Sequence, residues 1–270
     1  MISMRTPWPA TVRDIVQETP DVFTITVDKK EGMPTFSAGQ FMMLYLFGYG
    51  ESAISLAGDP KRLDFYTFTV RATGSVTDAI ARLKPLDTIG LRGPYGNGWP
   101  LEHHRDIVMI AGGVGIASLR STLFCIALER HHYRKVTLLY GARAPEDVIY
   151  KEELSYWKQF HIEIILTVDT AGESWHGHVG VVPSLVAQSL QEKVQPQIFI
   201  CGPEVMIRFT IHELLRHLIN KDDIYFAMER HMQCGTGMCG RCQMGTFFLC
   251  KDGPIFSYKE LERWLWIKEL

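Results

Sequence analysis

From the start of the chain to about Pro100, apolar and polar residues alternate in short runs: ATVRDIV, VFTITV, QFMMLYLF and DFYTFTV. Turn formers in KKEGMP, GYG and AGDPKR separate them, and a period of two between turns predicts the strands of a small antiparallel barrel or sandwich. One stretch breaks the rhythm. SVTDAIARLK places Val76, Ile80 and Leu83 on one helical face, with Ser75 or Thr77 as candidate caps.

Beyond Pro100 the pattern changes. DIVMIAGG is a continuous apolar run ending in glycines, IASLRSTLFCIALERHH has Ile116, Leu119, Leu123 and Ile126 at helical spacing, and KVTLLYGA is apolar again. The alternation continues through EELSYWKQF, IEIILTVD, VPSLVAQSLQEK, QIFICGP and EVMIRFTIHELLRHL. Strands alternating with helices predict a parallel sheet covered on both faces. Ligands of such sheets bind beyond the carboxyl ends of the strands, so AGGVG, YGAR and CGPE are expected to meet there. A third region starts near Ile224 and carries a cysteine cluster. The expected organisation is an antiparallel β-barrel over residues 1–100, a parallel-sheet α/β domain over 101–223 and a small C-terminal module over 224–270.

A chain of 270 residues holds two cores comfortably. With 28 Lys and Arg against 30 Asp and Glu, and no long run of one sign, it lacks the concentrated basic surface that nucleic acid requires. The longest apolar run, Ile107 to Leu119, falls short of the roughly 18 residues of a membrane span and is interrupted by glycines. The first residues, MISMRTPWPATVRD, lack the apolar stretch of an export signal. A cytoplasmic location is the expectation.

Four of the six cysteines lie in CGTGMCGRCQMGTFFLC, spaced C-x4-C-x2-C-x7-C. In a reducing compartment such clustering points to metal rather than disulfides. Zinc sites favour two C-x2-4-C pairs with a longer insert, whereas C-x4-C-x2-C followed by one more cysteine is the plant-type [2Fe-2S] arrangement. The fourth cysteine comes sooner here than in that pattern, which leaves zinc, another cluster or unligated cysteines as alternatives. Glycines at 235, 237, 240 and 245 fit a loop that must turn its amides toward sulfur. Cys125 lies on the apolar side of a helix, as a core residue would; Cys201 ends a strand at the expected crevice.

AGGVGIASLRS follows a strand and opens a helix, which suits a phosphate, although an ordinary tight turn has the same residues. Gly74, Ser75, Val76 and Thr77 make a second such turn. The pairs His103-His104 and His131-His132 fall at element ends, where solvated side chains are expected rather than ligands.

Taken in order, GESAIS, LRGPYGNGWP, AGGVGIAS, YGARAPEDVIYKEEL, CGPEVM, MERHMQCGTGMCGRC and CKDGPIFSY resemble the ferredoxin reductase-like flavoproteins that carry a C-terminal [2Fe-2S] module. That group includes the electron-transfer subunit of dihydroorotate dehydrogenase B, the B subunit of anaerobic sulfite reductase and the gamma subunit of cytoplasmic NAD(P)-linked [NiFe] hydrogenases, which GYGESAIS, GPYGNGWP and CKDGPIFSYKEL resemble most. The resemblance implies that Ser55 stands near the flavin N5 with Ile54 lining the ring, that Thr69, Val70 and Arg71 flank the flavin, and that Gly74, Ser75, Val76 and Thr77 hold the FAD pyrophosphate. It implies that Gly112, Gly113 and Gly115 meet the nicotinamide dinucleotide, with Cys201, Gly202, Pro203 and Glu204 near its nicotinamide end. Ser55 and Cys201 would be the catalytic pair, and Cys234, Cys239, Cys242 and Cys250 the cluster ligands.

Two positions depart from that pattern. The R-P-x-S flavin motif is here Ser52-Ala53-Ile54-Ser55, so its arginine is missing and Arg71 is the nearest substitute; the choice between FAD and FMN is correspondingly open. The usual proline after AGGVGIA is Ser118. Arg143, after the YG strand end, is placed to meet a ribose 2′-phosphate, or is a plain surface arginine.

The implied activity is a diaphorase relay. A nicotinamide gives up two electrons as a hydride and a cluster takes one, with flavin able to do both. A [NiFe] centre conventionally takes two C-x2-C pairs, and outside the cluster motif only Cys125 and Cys201 remain. Hydrogen chemistry is therefore not expected in this chain; the resemblance implies a hetero-oligomer with a partner hydrogenase and further iron–sulfur subunits, or else with a dihydroorotate dehydrogenase or sulfite reductase as the partner. The opposing reading is a non-catalytic redox sensor or zinc-stabilised interaction subunit, and the tail RWLWIKEL with Trp264 and Trp266 is either a packed helix or a docking surface.

Overall fold

The computed structural model describes residues 6–190 and 195–267. The end of the VPSLVAQSLQEK segment, the first five residues and the last three of the tail lie outside the described residues.

The alternating runs form six strands: β1 (Trp8–Gln17), β2 (Val22–Asp28), β3 (Phe41–Leu46), β4 (Gly50–Ser55), β5 (Phe65–Arg71) and β6 (Thr88–Tyr95). They pair antiparallel in the order β4-β3-β6-β1-β2-β5. A bridge between Leu56 and Phe68 joins the two outer strands and closes the sheet into a barrel. Phe23, Ile25, Val27, Met42, Leu44 and Leu91 fill it, the inward half of each period-two pattern. The expected helix forms only as α1 (Ser75–Ile80), and Arg82 and Leu83 continue with three-residue bonds to Ala79 and Ile80. Pro85 is the physical reason, since the residue before a proline resists helical backbone. Val76 and Leu83 still pack on the barrel core.

The second sheet takes β7 (Ile107–Gly112), β8 (Val136–Ala142), β9 (Ile162–Val168), β10 (His178–Val179), β11 (Gln197–Cys201) and β12 (Ile224–Ala227). After a small hairpin of β13 (Gln243–Met244) and β14 (Phe247–Phe248), β15 (Ile255–Ser257) completes it. The order is β10-β9-β8-β7-β11-β12-β15, parallel except for the last pair. Helices α2 (Ile116–Leu128) and α3 (Lys151–Lys158) cover one face with Leu119, Leu123, Ile126 and Trp157. On the other lie α4 (Val186–Ser189) and α5 (Glu204–Arg216), contributing Val186, Ile207, Ile211 and Leu214. Residues of β7 alternate between the two cores, with Met109 facing one and Ile110 the other.

The third region is built into this sheet. Its β12 is an interior strand and its β15 the edge, while α6 (Leu249–Asp252) and α7 (Tyr258–Leu265) flank them. A boundary drawn at residue 224 therefore separates β12 from β11, one of the two strands it pairs with. No helix among the described residues is long and apolar enough to cross a membrane.

The two sheets meet through polar contacts. Arg120 binds Glu153 through both carboxylate oxygens, at 2.7 and 2.5 Å, and donates to the Ala57 carbonyl at 2.7 Å. Ser121 donates to the Leu56 carbonyl. The Tyr150 hydroxyl pairs with that of Thr69, which in turn lies 2.9 Å from Thr24 Oγ1. At the opposite end of β7 and β8 from the crevice, the rings of His103 and His132 stack at 4.5 Å. His103, His104 and His131 are exposed.

Candidate functional site

The strand order reverses between β7 and β11, because the chain moves outward one way through β8 and β9 and the other way through β12. Their carboxyl ends open the crevice where such sheets bind ligands. Glycines make its floor. A Cβ on Gly115 would lie 2.4 Å from the Cys201 carbonyl oxygen, and one on Gly202 would lie 3.1 Å from Gly112 N. A Cβ on Gly112 would meet Met206 Sδ at 2.4 Å. Bare backbone at these three positions lets the ends of β7 and β11 touch and leaves the N-terminus of α2 facing the crevice, a setting for phosphate. Gly113 has φ +54°, in the left-handed region.

Cys201 sits beneath this floor, only 5% exposed. Burial, reinforced by the Glu229 carboxylate and opposed by the Ser118 hydroxyl, pushes its thiol up to about 12. It is a neutral thiol at ordinary pH. The Glu204 carboxylate pairs with Arg208 at 2.5 Å and Arg230 at 3.1 Å; Pro203 is the exposed residue before α5. Arg143 is exposed just beyond β8, and its guanidinium pairs with no described residue. Sequence reasoning missed Glu229. It follows β12, reaches solvent and yet is ringed by protein, an enclosure that raises its carboxyl pKa. The signal was its place one residue past the buried run IYFAM, at the end of the strand beside β11.

β4, an edge strand of the barrel sheet, has every residue half-buried, with Ile54 packed against the barrel core and Ser55, next along the strand, on the opposite face. The isolated Leu56–Phe68 bridge sets the end of β4 beside β5. Continued along both strands, that antiparallel register would bring Arg71 opposite Ala53, one step from the position of the missing arginine. Its Nε is 3.2 Å from Asp21 Oδ2 without hydrogen-bond alignment, and its Nη2 is the atom nearest a Cβ built on Gly113, at 3.7 Å. A cation therefore spans the gap between the β4 edge and the glycine floor. Val70 points into the barrel core instead, 1% exposed, and the Thr69 hydroxyl is taken up by Thr24 and Tyr150, so neither side chain lies along that edge. Thr77 Oγ1 accepts from the amides of Thr73 and Gly74 at 3.0 and 3.1 Å, capping α1. The amides of Ser75 and Val76 remain for a phosphate, next to β4, whose Gly50 faces Val76.

In the third region Gly235, Gly237, Gly240 and Gly245 all have positive φ, between +58° and +77°. Those turns direct amides at sulfur: Thr236 and Met238 donate to Cys234 Sγ at 3.4 and 3.3 Å, and Gly237 to Cys250 Sγ at 3.1 Å. Cys242 Sγ lies 3.2 Å from Cys250 Sγ. Partial burial disfavours the Cys234 thiolate, but the amides of Thr236, Cys239 and Met238 outweigh it and bring the thiol to about 6. Cys250 goes the other way, pushed up to about 12 by burial and by Cys242 beside it. Among the described residues no three His, Cys, Asp or Glu side chains converge to hold one ion. An all-thiol donor set with amides aimed at the sulfurs fits an iron–sulfur cluster, which four cysteine thiolates would hold. Cys242 and Cys250 are the pair already together, Cys234 is half-buried and Cys239 exposed.

Residues 109–212 match the oxidoreductase NAD-binding domain, and residues 229–262 the iron-sulfur cluster binding domain of dihydroorotate dehydrogenase B. Sulfhydrogenase 1 subunit gamma of Pyrococcus furiosus is 35% identical over 237 residues, spanning 84% of this chain and 81% of that one. A probable dihydroorotate dehydrogenase B (NAD(+)) electron transfer subunit of Methanocella arvoryzae is 32% identical over 268 residues, spanning 95% and 93%. Among solved structures, an NADH-dependent reduced ferredoxin-NADP oxidoreductase superposes with a TM-score of 0.79 at 25% identity, covering 96% of this chain and 94% of that one. With its ferredoxin reductase-like barrel and α/β sheet and its C-terminal iron–sulfur region, the chain belongs to the family that contains the sulfhydrogenase gamma subunits and the dihydroorotate dehydrogenase B electron-transfer subunits.

Proposed function

We propose that the chain is an electron-transfer subunit that passes electrons between NAD(P)H and a partner redox enzyme by way of FAD and a [2Fe-2S] cluster. The observation that carries the reading is that three settings are joined in turn: the glycine crevice at β7 and β11, the β4 edge beside Arg71, which reaches Gly113, and the cysteine loop, which Arg92 ties to Glu51 of β4. When bound, flavin converts a two-electron hydride donor into a source of single electrons for the cluster. The chain's residues supply the binding. Ser55 and Ile54 line the ring, Arg71 with the Gly74 to Thr77 turn takes the FAD phosphates, and Gly112, Gly113 and Gly115 take the dinucleotide. Cys201 and Gly202 form the floor under the nicotinamide, with Glu229 beside them. Arg143, unpaired at the end of β8, suits a ribose 2′-phosphate and so NADP(H). Cys234, Cys239, Cys242 and Cys250 ligate the cluster.

The partner we favour is a cytoplasmic [NiFe] hydrogenase assembled with this chain, since two sulfhydrogenase gamma subunits are each 35% identical whereas the dihydroorotate dehydrogenase relatives are 30–32% identical. Quantifying flavin, iron and sulfide in anaerobically purified protein, with visible spectra before and after NADH or NADPH, tests the relay. About one flavin and two irons, both bleached by a nicotinamide, is the expected result. A colourless protein that takes up neither flavin nor iron on reconstitution overturns it. Co-purification of a hydrogen-oxidising activity that reduces NAD(P) separates the hydrogenase partner from a dihydroorotate- or sulfite-linked one.

A further inference from the structure

Arg92 lies on β6 in the barrel, 6% exposed, and each of its five N–H groups has an acceptor. Two go to Glu51 on β4, at 2.9 and 2.6 Å. Two go to backbone carbonyls of the cysteine loop, Gln233 at 2.9 Å and Cys234 at 3.0 Å, and the fifth to the Tyr95 hydroxyl at 3.0 Å. One guanidinium thus ties the strand that bears Ile54 and Ser55 to the first cysteine of the cluster motif.

The residues after Arg92 extend the grip. The Tyr95 ring packs so closely on Gly235 that a Cβ there would lie 2.7 Å from it. Asn97 N donates to the Gly253 carbonyl at 2.6 Å, and its side chain exchanges hydrogen bonds with Ile255 N at 3.0 Å and Ile255 O at 2.7 Å. A single barrel segment therefore holds the loop just before Cys234 and again just after Cys250. Planar guanidinium geometry suits such a fork, which an ammonium would not reproduce.

We infer that Arg92 is a positioning residue for electron passage between flavin and cluster, and that the Arg92–Glu51 ion pair sets the cluster's reduction potential. The inference rests on the relay reading above. Potentials of iron–sulfur clusters follow local charge, hydrogen bonding and solvent exposure, and in a poorly solvated site a nearby unit charge acts more strongly than in water. Adding an electron makes the cluster more negative, so the guanidinium beside Cys234 favours the reduced form. Glu51 opposes it. Each partner removed singly leaves the other's charge uncompensated.

The test is a redox titration of the full-length holoprotein followed by the EPR signal of the reduced cluster, on wild type and the Arg92→Gln, Glu51→Gln and Arg92→Lys variants, with iron and sulfide measured in each. The expected result is a lower potential in Arg92→Gln, a higher one in Glu51→Gln and a value near wild type in Arg92→Lys. Arg92→Lys is also expected to reduce its cluster more slowly on mixing with NAD(P)H, because it keeps the charge and loses the fork. Shifts in the same direction for both neutral variants, or none at normal iron content, overturn the inference, since a merely structural contact does not produce opposite signs. If Arg92→Gln fails to retain iron, Glu51→Gln decides alone: an upward shift supports the assignment and no shift overturns it. Absence of any [2Fe-2S] signal in the wild type would instead overturn the relay reading, and with it this one.

Discussion

Gly115 lies against the backbone of Cys201 so closely that a Cβ would come within 2.4 Å of its carbonyl oxygen and 2.6 Å of its carbonyl carbon. The contact joins the ends of β7 and β11, so the crevice floor depends on a missing side chain. Backbone cannot yield as a flexible side chain does, and overpacking of this kind costs about 1–3 kcal/mol. Gly115→Ala is expected to raise the KM for NAD(P)H by about tenfold or more, each factor of ten corresponding to about 1.4 kcal/mol. Flavin content should stay unchanged, because the barrel is untouched. Steady-state kinetics with an artificial electron acceptor, alongside the flavin absorbance, checks both.

Glu229 carries a carboxyl pKa raised by its enclosure. A group whose folded pKa lies above its unfolded value contributes fully below the unfolded pKa and loses that contribution as pH rises through the folded one. Ionised Glu229 is therefore a liability at neutral pH in the unliganded protein. Glu229→Gln should raise the thermal midpoint of apoprotein at pH 7, with the gain vanishing below about pH 4.5, the ordinary glutamate value. It should also slow flavin reduction by NAD(P)H and remove an acid limb from the pH profile of that step. An unchanged profile would show that the carboxylate is a bystander.

The buried thiol of Cys201 acts in the same sense at higher pH. Its pKa of about 12 against an ordinary 9.0 means that the unfolded chain releases a proton which the folded chain keeps. That contribution is complete below pH 9 and fades as pH rises toward 12, at about 1.4 kcal/mol per pH unit per proton. Stability should fall with pH from about 9 upward, and Cys201→Ala should flatten the slope. Urea unfolding between pH 8 and 10.5 measures it.

Arg143 is the exposed cation at the β8 end. Arg143→Ala should raise the KM for NADPH by about tenfold, the scale of one lost charge-assisted contact, and leave that for NADH nearly unchanged. Equal effects on both would assign Arg143 elsewhere.

Local patterning carried much of the fold. Period-two runs became β1, β2, β3 and β5, and the strand and helix alternation beyond Pro100 became the parallel sheet with α2, α3 and α5. The three-residue β15 could not be read, because Ile255, Phe256 and Ser257 become a strand only by pairing with β12. α1 stopped short where Pro85 acts at a distance that helical periodicity does not register. The glycines and cysteines were legible because each needs a residue type that few others replace. Glu229 and Arg92 were not, since their roles come from partners far along the chain, Arg92 lying 142 positions from Cys234. Val70 shows the converse: neighbours in sequence alternate faces in a strand, so it faces the barrel core rather than the open β4 edge.

The antiparallel pairing of β15 with β12 gives the last segment a second occupation. An uncovered outer strand invites other chains to add to it, and here the polypeptide that carries the cysteines occupies that margin itself. Asn97 ties Ile255, the first residue of β15, to the barrel. Ile255 to Ser257 therefore work as a keystone: a chain cut after Ala227 would lose the four clustered cysteines, bare a buried strand to solvent and free the barrel from one of its moorings, and it should self-associate rather than persist as a smaller flavoprotein.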